Sequence, residues 1–130
     1  MARDLILYYT KVRKAGNSLA IIIPPSVMNH CKFKVGDEMA LVLDSVAPTD
    51  LYFVRIFFKK LDTVSYEETL LTTVTLRQIG KSVGINAPQE IKSMLHLRKG
   101  SYLVFVVDMI LKKKGAPIRF YFRRLAEDED

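Results

Sequence analysis

The sequence predicts a mainly β protein with short helices, built from two tandem repeats of a β-β-α-β-β unit. Two observations support this prediction. The stretch RKAGNSLAIIIPPSV at 13–27 returns as RQIGKSVGINAPQEI at 77–91, with Arg, Gly, Ser, Ile and Pro in register. The rest of the chain alternates β-prone runs with glycine and proline, a pattern typical of strands joined by turns.

The two copies are related by one constant spacing. Gly16 and Gly80 lie 64 positions apart, and the same offset aligns most of the chain without a gap. A repeat of this length indicates that one structural unit is used twice. The predicted organisation is a first repeat at 5–61, a connector at 62–68, a second repeat at 69–125 and an acidic tail at 126–130.

The first half of each repeat predicts two strands joined by a tight turn. Glycine followed by a polar residue and a serine is turn chemistry, and proline ends a strand because it lacks a backbone N–H. The predicted elements are strands at 5–13 and 69–77, turns at 16–17 and 80–81, strands at 19–23 and 83–87, and prolines at 24 and 88.

The second half of each repeat predicts a short amphipathic helix of about two turns and a β-hairpin. Val27 and Cys31 lie four positions apart, as do Ile91 and Leu95, so that each pair shares one helix face. Glycine after each helix permits the chain to reverse. The predicted elements are helices at 25–33 and 89–97, reversals at Gly36 and Gly100, and hairpin strands at 39–44, 51–60, 102–111 and 117–125.

The duplication has a structural reason. A unit of fewer than ~65 residues, mostly strands, buries too little apolar surface to form more than a marginal core. An isolated strand pair is also unstable without neighbours. Two joined units bury each other's apolar faces and cover open sheet edges.

The composition indicates an anionic partner. The net charge is +6 with a pI near 9.5, and four of the fourteen acids are concentrated in the terminal EDED. The folded part is therefore more basic than the average suggests. No apolar stretch approaches the ~20 residues of a membrane-spanning helix, so we expect a soluble cytoplasmic protein with no membrane partner.

The sequence predicts no enzyme, no cofactor and no metal site. A single cysteine, Cys31, excludes an internal disulfide and a cysteine-based zinc site within one chain. His30 and His96 are not at equivalent repeat positions, and neither sits near a Cys or Ser that is plausible as a catalytic partner. Phosphate-loop and H-E-x-x-H motifs are absent.

The motif V-R-K-x-G-N-S-L-x-I-x-I-P at 12–24, followed by F-K-V-G-D-E at 33–38, resembles the AbrB/MazE/SpoVT-like swapped-hairpin family. Residues 76–102 resemble a more diverged copy. The resemblance implies a DNA-binding β-barrel in which two copies interleave their hairpins, here as a pseudo-dimer in one chain. Pairing across two chains, or assembly into a higher homo-oligomer, shares the same local features and stays open.

The resemblance also implies a DNA-binding surface formed by the first strand and following loop of each repeat. Antitoxin-like members of the family often have a basic residue two positions before the proline, where this chain has Ile22 and Asn86. The two halves differ, which predicts an asymmetric DNA site or little sequence preference. The implied contacts are Arg13, Lys14, Asn17 and Ser18 in the first repeat, and Arg77, Gln78, Lys81 and Ser82 in the second.

The chemistry of these residues leaves alternatives open. Arginine donates two parallel hydrogen bonds to phosphate or guanine, whereas lysine acts as a flexible point charge. Arg13 and Arg77 are otherwise solvated strand residues. Asn17 is equally a turn-forming residue, and Ser18 and Ser82 are equally turn caps.

Basic residues alternate with aromatic ones in RIFFKK at 55–60 and RFYFRR at 119–124. This pattern suits single-stranded nucleic acid, where bases stack on rings. It equally fits a strand with one core face and protective charges on an outer strand. An accessory basic loop at Lys112, Lys113 and Lys114 is either a phosphate clamp or a solvated loop.

The leading functional hypothesis is a nucleoid-associated, double-stranded DNA-binding transcriptional regulator. One alternative is an antitoxin-like or scaffold module that binds a protein partner. Such antitoxins carry a long partner-binding extension, and only AEDED follows the last predicted strand here. Another alternative is an architectural chromatin protein without a preferred sequence.

Overall fold

The fold is known from a computed structural model, which describes residues 5–43, 56–108 and 119–124. Antiparallel strands dominate these ranges, and the mainly β class is confirmed. The strands are β1 Leu5–Lys11, β2 Arg13–Ala15, β3 Ser18–Ile22, β4 Glu38–Leu43, β5 Ile56–Lys60, β6 Thr69–Thr75, β7 Arg77–Ile79, β8 Ser82–Asn86, β9 Tyr102–Asp108 and β10 Arg119–Arg124. The helices are α1 Pro25–Cys31 and α2 Gln89–Leu95, and Leu61–Thr63 form a 3-10 turn.

The predicted first strand of each repeat is two strands in the structure. Val12 separates β1 from β2, and its N–H donates to the Ser101 carbonyl at 2.8 Å. Its carbonyl accepts the Gly100 N–H at 3.0 Å. The chain therefore leaves one sheet at Val12 and enters the other, a change of partner that strand propensity alone does not reveal.

Each helix has seven residues, about the two turns predicted within 25–33 and 89–97, and ends at a left-handed residue. Lys32 has a φ of 56° and His96 a φ of 50°, so the helical hydrogen-bonding pattern stops there. The predicted strand segments at 51–55, 109–111 and 117–118, together with residue 125, lie outside the described residues.

The strands form two antiparallel sheets that both repeats share, and within the described residues these sheets do not close into the barrel that the resemblance implies. The six-stranded sheet has the order β1-β9-β10-β5-β4-β6, and the four-stranded sheet has the order β2-β3-β8-β7. The first strand of each repeat pairs with a strand of the other repeat, β1 with β9 and β6 with β4. Each repeat therefore completes the sheet of its neighbour within one chain.

A pseudo-two-fold axis relates the repeats and passes through both sheets. Ile21 of β3 pairs with Ile85 of β8, its own counterpart 64 positions later. In the larger sheet, Phe57 of β5 pairs with its counterpart Tyr121 of β10. Two pairs of equivalent residues lie opposite each other, which is the arrangement that a two-fold axis between antiparallel strands produces.

One cluster of buried side chains joins both sheets and both helices. Ile21 and Ile85 come from the four-stranded sheet, and Phe58, Phe105 and Phe122 come from the six-stranded sheet. Each such apolar side chain contributes about 1.5–3 kcal/mol by leaving water. The predicted alternation in the basic strands is correct on the inner face, where Ile56, Phe58 and Phe122 are fully buried.

Each hairpin of the four-stranded sheet closes in a two-residue loop. Ala15 pairs with Ser18 around Gly16-Asn17, and Ile79 pairs with Ser82 around Gly80-Lys81. Gly16 and Gly80 both have a φ of 61°, whereas Asn17 and Lys81 do not have positive φ. A positive φ at only the first central position matches the II′ hairpin turn, which requires glycine there.

Neither α1 nor α2 is long and apolar enough to span a membrane, and the described residues contain no other helix that is.

Candidate nucleic-acid interface

The outer face of the four-stranded sheet presents arginine from both repeats. Directly paired side chains point to the same face, and Arg13 pairs with Ala20 while Arg77 pairs with Gly84. Ile21 and Ile85 point to the opposite face and are fully buried in the core. Arg13 and Arg77 are therefore both on the solvent side, and both are exposed.

Arg77 is held by Asn86 on the neighbouring strand. The Arg77 Nη1 donates to the Asn86 Oδ1 at 3.1 Å, and both side chains are exposed. The counterpart of Asn86 in the first repeat is Ile22, whose side chain cannot accept a hydrogen bond. Sequence reasoning identified position 86 only as a departure from the family pattern. Gly84 is the direct cross-strand partner of Arg77, and strand alternation places Asn86, two residues later, on the same sheet face. This alternation is the signal by which Asn86 could have been found.

Gln78 is engaged with its own turn. Its Nε2 donates to the Gly80 carbonyl at 3.0 Å and to the Ser82 carbonyl at 2.9 Å. While both bonds hold, the group that remains for a ligand is an amide oxygen, which is an acceptor and does not suit a phosphate. The equivalent Lys14 is an exposed cation. The two predicted contacts thus have different chemistry.

The two hairpin loops lie at opposite ends of the four-stranded sheet. Strands β3 and β8 run antiparallel about the Ile21–Ile85 pair, with Ser18 and Ser82 each three residues from it. At ~3.4 Å per strand residue, the loop tips are roughly 25–30 Å apart. Asn17, Ser18 and Lys81 are exposed at these tips, whereas Ser82 is half-buried.

The first repeat's hairpin borders a basic concavity of about 570 Å³. Its lining includes Lys11, Arg13 and Lys14 from the first repeat and Lys99 from the second. Of the predicted contacts, the structure brings Arg13 and Lys14 together in this concavity. Lys11 and Lys99 are cations of this concavity that the sequence did not predict. Lys99 lies beside the first repeat's hairpin because the neighbouring Gly100 N–H donates to the Val12 carbonyl.

Other predicted features do not add to the site. Lys112, Lys113 and Lys114 lie outside the described residues. Within the part of the chain that the structure describes, no group of three or more His, Cys, Asp or Glu residues is arranged to hold a metal ion. Burial raises the pKa of the Cys31 thiol from 9.0 to about 11, so this thiol is protonated at neutral pH and is a poor nucleophile.

Comparison of the chain with protein-family models, with curated proteins and with solved structures finds no match.

Proposed function

We propose that this chain is a double-stranded DNA-binding protein, a transcriptional regulator of the swapped-hairpin type. One observation supports it most directly. Two arginine-bearing hairpins from the two repeats lie on one outer sheet face, related by a pseudo-two-fold axis. Duplex DNA has approximate two-fold axes perpendicular to its helix axis. A protein surface with two-fold symmetry can therefore make equivalent contacts with both strands.

The spacing of the basic groups fits a duplex. Arg13 and Arg77 lie on the outer strands, three strand spacings apart across the sheet. With a separation of two residues along the strands, their Cα atoms are about 16 Å apart. Long side chains at this distance reach phosphates on both sides of a major groove ~12 Å wide. The loop tips, at roughly 25–30 Å, approach the ~34 Å of one helical turn.

The chemistry of the face favours backbone contact over base reading. Ala20 and Gly84, which are directly paired to the two arginines, are buried and offer no side-chain hydrogen bond to a base. Both helices have only seven residues, and both place apolar side chains in the core. Specificity would therefore come from a few side chains and from DNA deformation rather than from a recognition helix.

The exchange of strands β1 and β6 between the repeats supports the swapped-hairpin class within this proposal. Nucleoid DNA is the expected location of a protein with this activity. The measurement is a titration of labelled duplexes, random and genomic, at several salt concentrations. A preferred duplex identifies a specific regulator, and equal binding to all duplexes identifies an architectural protein.

The test of the surface is the double variant Arg13→Gln/Arg77→Gln. Each phosphate contact removed should lower the slope of log K against log salt by ~0.9, so the double variant should lose roughly two. Lys32→Asn is a control that removes an exposed cation following α1, and asparagine tolerates the left-handed backbone there. Wild-type affinity and slope in the double variant would contradict the proposal.

A further inference from the structure

Two basic concavities meet at one end of the molecule. The first is the 570 Å³ concavity beside the β2–β3 hairpin, and the second, of about 450 Å³, lies beside α2. Lys99 lines both, so they adjoin, and neither lining includes a carboxylate. We call their cations the basic track: Lys11, Arg13, Lys14, Lys92, Arg98 and Lys99.

The opposite end of the pseudo-two-fold fold lacks this track. Subtracting or adding the 64-residue offset gives the six counterparts Thr75, Arg77, Gln78, Met28, Lys34 and Val35. Two of these are cations against six in the track. Because the backbone is the same at both ends, the fold does not require the cations. Four of the six cations have uncharged counterparts and so occur at one end alone: Lys11, Lys14, Lys92 and Lys99.

Two exposed tyrosines border the track. Tyr9 is 61% exposed and Tyr102 is 52% exposed. Lys11 pairs directly with Tyr102, and its Nζ lies 5.6 Å from the Tyr102 ring centroid. Tyr9, two residues before Lys11, points to the same sheet face. Its direct partner is Val104, two residues from Tyr102, so Tyr9 and Tyr102 occupy diagonal positions on one sheet face, a backbone separation of roughly 7–8 Å.

The rings are also confined to this end. The counterpart of Tyr9 is Thr73, and the counterpart of Tyr102 is the carboxylate Glu38. One end therefore combines six cations with two exposed rings, whereas the matching positions of the other end hold two cations, a threonine and an acid. Tyr102 is half exposed and does not pack in the core. The group over its ring is the flexible Lys11 side chain, which a stacking base can displace.

From this juxtaposition we infer that the end formed by the basic track, Tyr9 and Tyr102 binds single-stranded nucleic acid. The track follows the phosphate backbone, and unpaired bases stack on the rings. Stacking provides a reason for the tyrosines that duplex binding does not, because the bases of a duplex already stack on each other. The inference adds a second ligand to the proposed duplex site, with which it shares Arg13 and Lys14.

The test of stacking uses the variants Tyr9→Leu and Tyr102→Leu, which keep an apolar side chain and remove the ring. The probes are a labelled oligothymidylate, an abasic strand of equal length and a duplex of the same length. The double variant should bind the oligothymidylate about tenfold more weakly or worse, with duplex affinity unchanged. The chain has no tryptophan and six tyrosines, so quenching of tyrosine emission by bound bases should also diminish.

The test of the track exchanges three lysines for the residues of the other end, in Lys11→Thr/Lys14→Gln/Lys99→Val. At ~0.7 per phosphate on a single strand, the salt slope should fall by about two. The matched control removes three lysines outside both the track and the predicted duplex contacts, in Lys32→Asn/Lys34→Gln/Lys60→Gln, and should retain most of the slope. Unchanged circular dichroism and unfolding midpoints in all variants ensure that losses reflect binding.

Three results would overturn the inference: oligothymidylate binding that does not depend on the tyrosines, equal binding of the abasic strand, or equal losses in the two triple variants. Each leaves the duplex proposal standing, because that proposal rests on Arg13 and Arg77. Loss of duplex binding in the arginine variant, with tyrosine-dependent binding of oligothymidylate retained, would instead overturn the duplex proposal alone.

Discussion

The two ends of the molecule have one backbone and two surfaces. At the first end, the Val12 N–H donates to the Ser101 carbonyl at 2.8 Å; at the second, the Leu76 N–H donates to the Asp37 carbonyl at 3.0 Å. These bonds are equivalent under the 64-residue offset. The first end nevertheless has the basic track and two exposed tyrosines, whereas the second has Glu38, Val35 and Thr73 at the matching positions.

This difference shows which positions the fold constrains. Two identical chains would make both ends the same, because every residue would occur at each. Two copies within one chain can change independently wherever the backbone bonds and the core are unaffected. Ile21 and Ile85, which pair at the axis in the core, are identical, whereas other buried counterparts, such as Leu41 and Phe105, differ in size but remain apolar. Exposed positions have diverged in charge.

The largest effect is expected at Gly84, which lies against the backbone of β3 and whose counterpart in the first repeat is Ala20. A Cβ on Gly84 would meet the backbone carbonyl oxygen of Ile21 and lie 3.1 Å from the Ile22 Cα. Backbone atoms cannot rotate away as a flexible side chain can, so Gly84→Ala should separate β3 from β8 and cost about 1–3 kcal/mol.

Urea unfolding followed by circular dichroism measures this cost. The control is Ala20→Gly at the equivalent position, where removal of a methyl from a strand should cost only about 0.5–1 kcal/mol. Equal losses of unfolding free energy in Gly84→Ala and Ala20→Gly would contradict this prediction, since they would mean that the close backbone approach at Gly84 has no energetic consequence.

A smaller effect is expected at the two equivalent turns, 34–37 before β4 and 98–101 before β9. The Lys34 N–H donates to the Asp37 Oδ2 at 3.0 Å, and the Arg98 N–H donates to the Ser101 Oγ at 3.1 Å. Ser101 is only 2% exposed, so Ser101→Ala leaves a partly buried N–H without its acceptor and should cost about 1 kcal/mol.

Asp37→Ser is the matching variant at the other end. It keeps an oxygen acceptor and removes only an ion pair with Lys60 at 3.7 Å, which is partly exposed. Such pairs contribute ~0.2–1 kcal/mol at most, so the unfolding midpoint should hardly move. A larger loss for Asp37→Ser than for Ser101→Ala would reverse the order that burial predicts.

The smallest effect concerns the connector between the repeats. Desolvation raises the pKa of Glu68, but hydrogen bonds from the Lys59 Nζ at 2.8 Å and the Ser65 N–H at 2.9 Å outweigh it and lower this pKa below 4.5. A carboxyl whose folded pKa is depressed stabilises the fold above its unfolded pKa, and this contribution is lost as the pH falls through the folded pKa.

Urea midpoints of wild type and Glu68→Gln, measured from pH 7 to below pH 4.5, test this linkage. The wild type should be slightly more stable at pH 7, and the difference should narrow below about pH 4.5. A difference that is constant with pH would show that the Lys59–Glu68 pair does not contribute through charge.

Several features of the candidate site could be predicted from residues alone. Arg13 and Arg77 recur at the repeat offset, and strand alternation places both on the face opposite the buried Ile21 and Ile85. Gly16 and Gly80 predict the turns, because only glycine readily adopts their positive φ. Asn86 could be found by the same alternation once the β7–β8 pairing was known.

The basic track could not be predicted from residues alone. Lys99 and Lys14 belong to different repeats, and nothing in their local sequences indicates that they share a concavity. Tyr9 and Tyr102 are likewise brought together only by the β1–β9 register. Several apolar runs have similar lengths and composition, so local propensity does not choose among their possible partners.

The sequence by itself determined the repeat period, the turn positions and the alternation of inner and outer residues, because each depends on neighbours a few positions apart. Tertiary structure alone decided that β1 pairs with β9 and β6 with β4, and that the chain changes sheet at Val12 and Leu76. Pairing between distant strands depends on loop closure and on burial across the whole core. The resulting strand pairing also brings six cations and two tyrosines together at one end of the duplicated backbone.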